Sequence, residues 1–315
     1  MTRSSRIAAP APGLVATLLA VTTLLAWAPA VSAQAPASPQ APVTPEDLMA
    51  RSVRPPDVRS AYGSDPLQFG ELYLPEGNGP HPVLAFIHGG CFLSQFDLAH
   101  IAPLAEAVAD AGYAVWSLEY RRVGDDGGGW PGTFVDVGLG LDHLRSLATE
   151  HALDMDRVVV GGHSAGGTLA LWAAQRDRVP ESSEIFVDEP LEVDAVVGLA
   201  AVGDLEAVQM LGVCGGVVDR LMGGGPTDVP ERYAAASPMG LVPIEEPVTF
   251  VVGATDPWTP PAMSWLYRAR AVGSEDIDLI ELPESGHFEM IAPWSSSWPA
   301  VLEALEASFH RRPPA

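Results

Sequence analysis

The pentapeptide Gly162-His163-Ser164-Ala165-Gly166 stands between an apolar run, Val158-Val159-Val160-Gly161, and an Ala-rich apolar stretch from Gly167 to Ala174. The valines favour a buried strand and the Ala- and Leu-containing run favours a helix, so the order predicted is strand, sharp turn, helix. A serine on such a turn is pushed out at the carboxyl end of a parallel sheet. Glycines on either side leave room for strained backbone and for close packing of helix on strand. In a chain with 31 glycines among 315 residues, about 0.2 Gly-x-Ser-x-Gly matches arise by chance. The pentapeptide therefore needs support from the rest of the chain.

Three other segments supply it. Upstream, Pro82 to Ile87 reads as a buried strand, and His88-Gly89-Gly90 follows at its carboxyl end, where open α/β sheets present their sites. Downstream, the strand Pro247 to Gly253 ends in Ala254-Thr255-Asp256-Pro257, which sets an acid just past its tip. The run Ile277 to Leu282 is followed by Ser285-Gly286-His287-Phe288, a histidine on a loop after a strand. The chain order is Ser164, Asp256, His287, unlike the two other serine-hydrolase orders. Serine is a weak nucleophile at its own pKa and needs such a base, oriented by such an acid.

On these residues the chain resembles the α/β-hydrolase superfamily, and within it esterases with a His-Gly-Gly oxyanion motif. His88-Gly89-Gly90-Cys91-Phe92, Glu119-Tyr120-Arg121-Arg122, Gly162 to Gly167, Asp256 and His287 carry that resemblance. It looks closest to carboxylesterases of the feruloyl/acetyl-xylan esterase type and to kynurenine-formamidase-like hydrolases, which often carry Trp where this chain has Phe92. The resemblance implies an α/β-hydrolase fold, a mostly parallel sheet with helices on both faces and a small cap. It implies Ser164 as nucleophile, His287 as base and Asp256 as orienting acid. Backbone amides of Gly89, Gly90, Cys91 and Ala165 are expected to form the oxyanion hole. No metal or other cofactor is implied, and no His-Glu-x-x-His, P-loop or cysteine–histidine metal spacing appears.

Competing readings sit beside these. Asp204 and Glu289 are rivals to Asp256, and His310 lies in a terminal helix. His88 reads as a hydrogen-bonding brace, and His163 as packing beside the elbow. Arg121 and Arg122 read as members of structural ion pairs with Glu119 or Asp136. Trp130, Trp258, Trp265 and Trp294 are candidates for an aromatic acyl or alcohol site. At the level of function, an arylformamidase-type amide hydrolase, a prolyl-type peptidase and a non-catalytic binding protein on the same fold are the alternatives to an esterase.

Residues 1–33 read as a signal peptide: Arg3 and Arg6 make a basic start, Leu14 to Trp27 is apolar, and Val31-Ser32-Ala33 offers small cleavage residues. Export to the periplasm or beyond is the expectation, with no stable membrane insertion after cleavage. Residues 34–64 read as a leader and N-terminal extension containing a helix start at Thr44-Pro45-Glu46-Asp47, and 65–312 as the catalytic domain. Within the latter, Gln68 to Leu74 reads as an antiparallel edge strand, and Val135, Leu139, Leu144 and Leu147 as one side of a helix. The segment from Asp204 to Pro238, broken by Gly223-Gly224-Gly225-Pro226, is the place for the cap.

All 17 cationic residues are arginine, against 40 acids, for a formal charge of −23. Such a field repels phosphates and anionic lipid, so the expected partner is a small-molecule ester and not nucleic acid. Cys91 and Cys214, the two cysteines, are too few for a thiolate metal site. In an oxidising compartment they are candidates for one disulfide, with two buried free thiols as the alternative.

Overall fold

The computed structural model describes residues 41–311. The expected signal peptide and residues 34–40 of the leader lie outside the described residues. Eight strands form one sheet in the order β1-β2-β4-β3-β5-β6-β7-β8, with β1 (Val58–Ala61), β2 (Phe69–Tyr73), β3 (His81–Ile87), β4 (Ala114–Leu118), β5 (Leu153–His163), β6 (Ala195–Leu199), β7 (Val248–Gly253) and β8 (Ile277–Leu282). β1 and β2 are antiparallel to their neighbours, and every pairing from β4 through β8 is parallel.

The central strands carry almost no polar residues because both faces are covered. Along β3, Val83, Ala85 and Ile87 enter one core while Leu84 and Phe86 enter the other; β7 repeats the pattern with Phe250 and Val252 against Val251. The short α1 (Pro45–Met49) opens with the expected cap: the Thr44 hydroxyl accepts from Asp47 N–H and the Asp47 carboxylate accepts from Thr44 N–H. On the second face lies α2 (Ala102–Asp110). The first face is covered by α3 (Gly132–Asp142), α4 (Leu144–Glu150) and α5 (Ala165–Ala174), all ten residues of α5 being buried. Between β6 and β7 come α6 (Leu205–Met210), α7 (Val217–Met222) and α8 (Pro230–Ala236), the short pieces expected for a cap. After β7, α9 (Ala262–Arg270) returns to the first face, and α10 (Trp298–Ser308) joins α2 on the second.

Three expectations need correction. The catalytic sheet begins before residue 65, because β1 pairs along its length with β2. That also makes β1 the edge strand and places β2 between β1 and β4. With four residues of alternately half-buried and exposed Val-Arg-Ser-Ala, β1 has no apolar face for a periodicity reading to detect. Leu139 does not share the buried side of its helix: it is 43% exposed, on the side of α3 away from Phe134, Val137 and Leu141, which face the core together with Leu144 of α4.

The order β4-β3-β5 makes the gap between β3 and β5 a switch point, since the chain winds outward from it in both directions. Crevices at the carboxyl ends of strands on either side of such a point are where open α/β sheets bind ligands. His88 follows β3 there, and Ser164 follows β5.

Candidate active site

Ser164 has φ 55° and ψ −122° between β5 and α5, a conformation that side chains rarely adopt, and it is 7% exposed. Neighbouring backbone holds it in place. Ser164 N–H donates to Leu199 O at 2.8 Å, tying the turn to β6. Ala165 begins α5, so its amide belongs to the first-turn N–H groups without an intrahelical acceptor.

The turn after β3 presses directly on this elbow. A Cβ at Gly89 would lie 2.6 Å from His163 O and 3.1 Å from Ser164 Cβ, so only glycine fits. Gly90, Cys91 and Phe92 then run with φ of 105°, 54° and 57°. Left-handed backbone at the two non-glycine positions costs on the order of 1 to 2 kcal/mol each, and the surroundings constrain it. Phe92 O accepts from Val123 N–H at 2.8 Å, and Leu93 N–H donates to Gly90 O at 3.0 Å. Cys91 is joined in a disulfide to Cys214, Cα atoms 5.6 Å apart, in the glycine-flanked segment that precedes α7.

Behind the turn is a buried polar network. His88 is fully buried, its Nδ1 facing Gly89 O at 2.8 Å and its Nε2 facing Glu119 Oε1 at 3.0 Å, with Tyr120 stacked on it at 4.4 Å. Tyr120 Oη donates to His88 O at 2.9 Å. Burial raises Glu119, but His88 and Arg122 outweigh that effect and hold its carboxyl below the usual range. Arg122 pairs with both Glu119 and Asp125, and Arg121 grips Asp136 through Nε and Nη2, so both arginines are structural ion-pair members as expected.

His287 and Asp256 meet on the far side. His287 Nδ1 lies 2.7 Å from Asp256 Oδ2 with both residues buried, and Asp256 accepts three more bonds. Trp258 N–H and Thr259 N–H donate to Oδ1 at 2.7 and 3.0 Å, and Thr259 Oγ1 donates to Oδ2 at 2.7 Å. Burial pulls Asp256 upward, but the bond and charge of His287 together with Thr259 prevail, holding the carboxyl down at about 2. Thr259 Oγ1 also lies 3.4 Å from His287 Nδ1. Sequence reading missed Thr259, whose signal is only a hydroxyl three residues after the acid. The rivals are occupied elsewhere: Asp204 caps α6 and pairs with Arg270, and Glu289 accepts from Val43 N–H.

The serine and histidine corners are joined through His163, whose Nε2 donates to His287 O at 2.9 Å. The tryptophans do not gather into one site. Trp130 lies tilted against Phe134 and donates to Glu184, Trp294 lies under Arg51, and Trp258 and Trp265 are about half exposed at 53% and 50%. A cavity of about 460 Å³ bounded by Arg54, Arg59, Phe69, Glu71 and Tyr73 reaches Glu119 from the other side, and neither Ser164 nor His287 lines it. Among the described residues no group of three or more His, Cys, Asp or Glu is placed to hold a metal ion, and no helix is long and apolar enough to cross a membrane.

Known proteins share this arrangement of chain. Esterase LipC of Mycobacterium tuberculosis (strain ATCC 25618 / H37Rv) is 28% identical over 246 residues, which cover 73% of this chain and 59% of that protein. Esterase LipQ of the same organism is 29% identical over 239 residues, 73% of this chain and 56% of that one. The chain thus spans under three fifths of the length of these relatives. Among solved structures, esterase B from Lactobacillus rhamnosis superposes with a TM-score of 0.70 at 20% identity, covering 84% of this chain and 91% of that one. A truncated carbohydrate esterase from gut microbiota gives 0.65 at 20% identity, over 80% and 95%. The BD-FAE family model matches residues 71–270, a stretch that holds the turn after β3, Ser164 and Asp256 and stops short of His287. Matched over the larger part of its length, from β2 to the end of α9, this chain belongs to the BD-FAE family of α/β-hydrolases.

Proposed function

We propose that this protein hydrolyses carboxylic esters through an acyl-enzyme on Ser164. The observation that carries the reading is the buried His287–Asp256 pair at 2.7 Å, with the His287 backbone bonded to the residue before Ser164. Ser164 Oγ attacks the ester carbonyl while His287 Nε2 takes its proton. Asp256 fixes the ring with Nδ1–H toward itself and stabilises the imidazolium. The tetrahedral oxyanion is received by amides of Ala165 and of the Gly89-Gly90-Cys91 turn, each donor worth about 3 kcal/mol. His287 returns the proton to the departing alkoxide, and the alcohol leaves. Water, deprotonated by His287, then attacks the acyl-enzyme, and the acid is released with Ser164 restored.

The names of LipC, LipQ and the carbohydrate esterase favour an ester over an amide. Short acyl groups are the expected substrates, because the interval between β6 and β7 forms a cap of short, glycine-broken helices and not a long amphipathic lid. Export follows from the basic, apolar and small-residue pattern of residues 1–33.

The test is a panel of aryl esters from acetyl to octanoyl and feruloyl, with N-formylkynurenine and a peptide anilide alongside, together with organophosphonate labelling. Acetyl to butyryl esters are expected to lead, and Ser164→Ala is expected to abolish both turnover and labelling while the protein stays folded. Labelling of the alanine variant at wild-type stoichiometry would place the nucleophile elsewhere, and turnover of the formamide alone would move the reaction class.

A further inference from the structure

The imidazole of His163 has no part in that reaction, yet it lies against both the His287 ring and the turn that carries Gly89. It is 1% exposed. Its ring centroid is 4.7 Å from that of His287 and 5.7 Å from that of Phe288. Burial, with the His287 and His100 rings nearby, pushes its pKa well below the ordinary value, so the ring is neutral. A neutral imidazole has a single N–H, and Nε2 faces a carbonyl, which only accepts; the proton is therefore on Nε2.

The other nitrogen, Nδ1, is buried without a hydrogen-bond partner. Most buried polar atoms are paired, and an exception calls for a reason. Here the reason is steric: Nδ1 faces the Cα of Gly89, so closely that a Cβ there would come within 3.1 Å of it. The ring is thus wedged between the oxyanion turn and the His287 loop, and one hydrogen bond fixes its direction.

That bond has a distinct mechanical place. On the β7 side the His287 loop is fastened by Thr255, whose N–H and Oγ1 both donate to Ser285 O, at 3.1 and 2.8 Å. This fastening sets His287 against Asp256. On the elbow side the fastening is His163 Nε2 to His287 O, and it comes from the residue directly bonded to Ser164.

We propose that His163 is a positioning residue that sets the separation of Ser164 Oγ from the His287 ring by locking the nucleophile elbow to the His287 backbone. The role rests on the reading of Ser164 as nucleophile. Neutrality is part of it, because a second cation beside His287 would oppose the imidazolium formed during attack. Reacting groups displaced by about 1 Å can lose roughly 100-fold in rate, so a bond that fixes this distance acts on kcat.

Three variants test the role. His163→Met fills the space without a donor, His163→Gln carries an N–H to the reach of Nε2, and His163→Asn is a polar amide too short to reach His287 O. On a butyryl aryl ester, Met and Asn are expected to lower kcat about 10- to 100-fold with KM within about twofold. Both slow organophosphonate capture to the same extent, and Gln stays within about threefold of wild type. Thermal melting monitors folding, and the Asn–Gln contrast decides the matter even if Met does not fold. Equal kcat for Asn and Gln, with wild-type Ser164 still captured, would overturn the role of His163 alone. Failure to capture wild-type Ser164 would instead remove the reading beneath it.

Discussion

At the scale of the residue, the chemistry turns on how completely each polar group is satisfied. Asp256 accepts four bonds, two of them from Thr259, which leaves its carboxylate one orientation and its charge fully spoken for. Thr259→Val preserves the side-chain shape and removes the hydroxyl. A hydrogen bond to a charged group is worth roughly 1.5 to 3 kcal/mol, so kcat is expected to fall about 10-fold or more with KM little changed. Asp256→Asn is expected to cost on the order of 10⁴, by the logic of a wrongly held tautomer. Asp204→Asn, which touches a helix cap and Arg270, should leave kcat near wild type. Steady-state kinetics on the three variants reads this order directly, and an Asp204 effect larger than the Asp256 effect would misplace the acid.

At the scale of the element, two loops of unfavourable backbone are bolted to each other. Cys91 and Phe92 in the turn after β3, and Cys214 in the segment before α7, all have positive φ without being glycine. The bridge joins residues 123 apart in sequence. In the chain-entropy model, closing so long a loop disfavours the unfolded chain by about 5 kcal/mol. Mild reduction, or Cys214→Ala, is therefore expected to lower the melting temperature. It should also release the Gly89-Gly90-Cys91 turn, so that kcat drops more than KM rises. Thiol titration of denatured, unreduced protein gives the direct count, and two free thiols in exported material would rule out the latch.

At the scale of the whole molecule, 17 arginines face 40 acids, and two of them, Arg121 and Arg176, use both prongs of the planar fork, on Asp136 and Asp142. Among the described residues, Glu246 has no arginine paired with it. Burial pushes its carboxyl up to about 7, with Asp177 and Glu245 adding to the effect. The fold thus favours protonated Glu246, whereas the unfolded chain releases that proton near pH 4.5. Stability falls as pH climbs from about 4.5 to about 7, and the full cost, on the order of 1 to 3 kcal/mol, is present above that window. Glu246→Gln removes the cost. Its melting temperature is expected to exceed wild type by several degrees at pH 8, with the gap closing toward pH 4. A gap independent of pH would show that Glu246 ionises freely in the fold.

Much of this was written along the chain. Continuous apolar runs specify β5 and β7 as strands covered on both faces, and the positions of Ser164 and Asp256 just past them, with His287 on the loop after the edge strand β8, bring the three to one end of any parallel sheet that pairs them. The β3 turn follows for the same reason, since its glycines are the residues that permit contact with the elbow. Local pattern carries less where the cause is contact between distant segments. The strand β1 has no apolar face and exists because β2 offers it an edge; Leu139 is exposed because it lies on the side of α3 away from Phe134, Val137 and Leu141. Thr259 is one hydroxyl among many until the loop folds it under Asp256. His163 looks like packing until its Nε2 meets His287 O, a partner 124 residues away. Periodicity and turn chemistry act over a few residues and survive in one dimension. The orientation of a buried hydrogen bond depends on which surfaces meet, and here only the tertiary structure decided it.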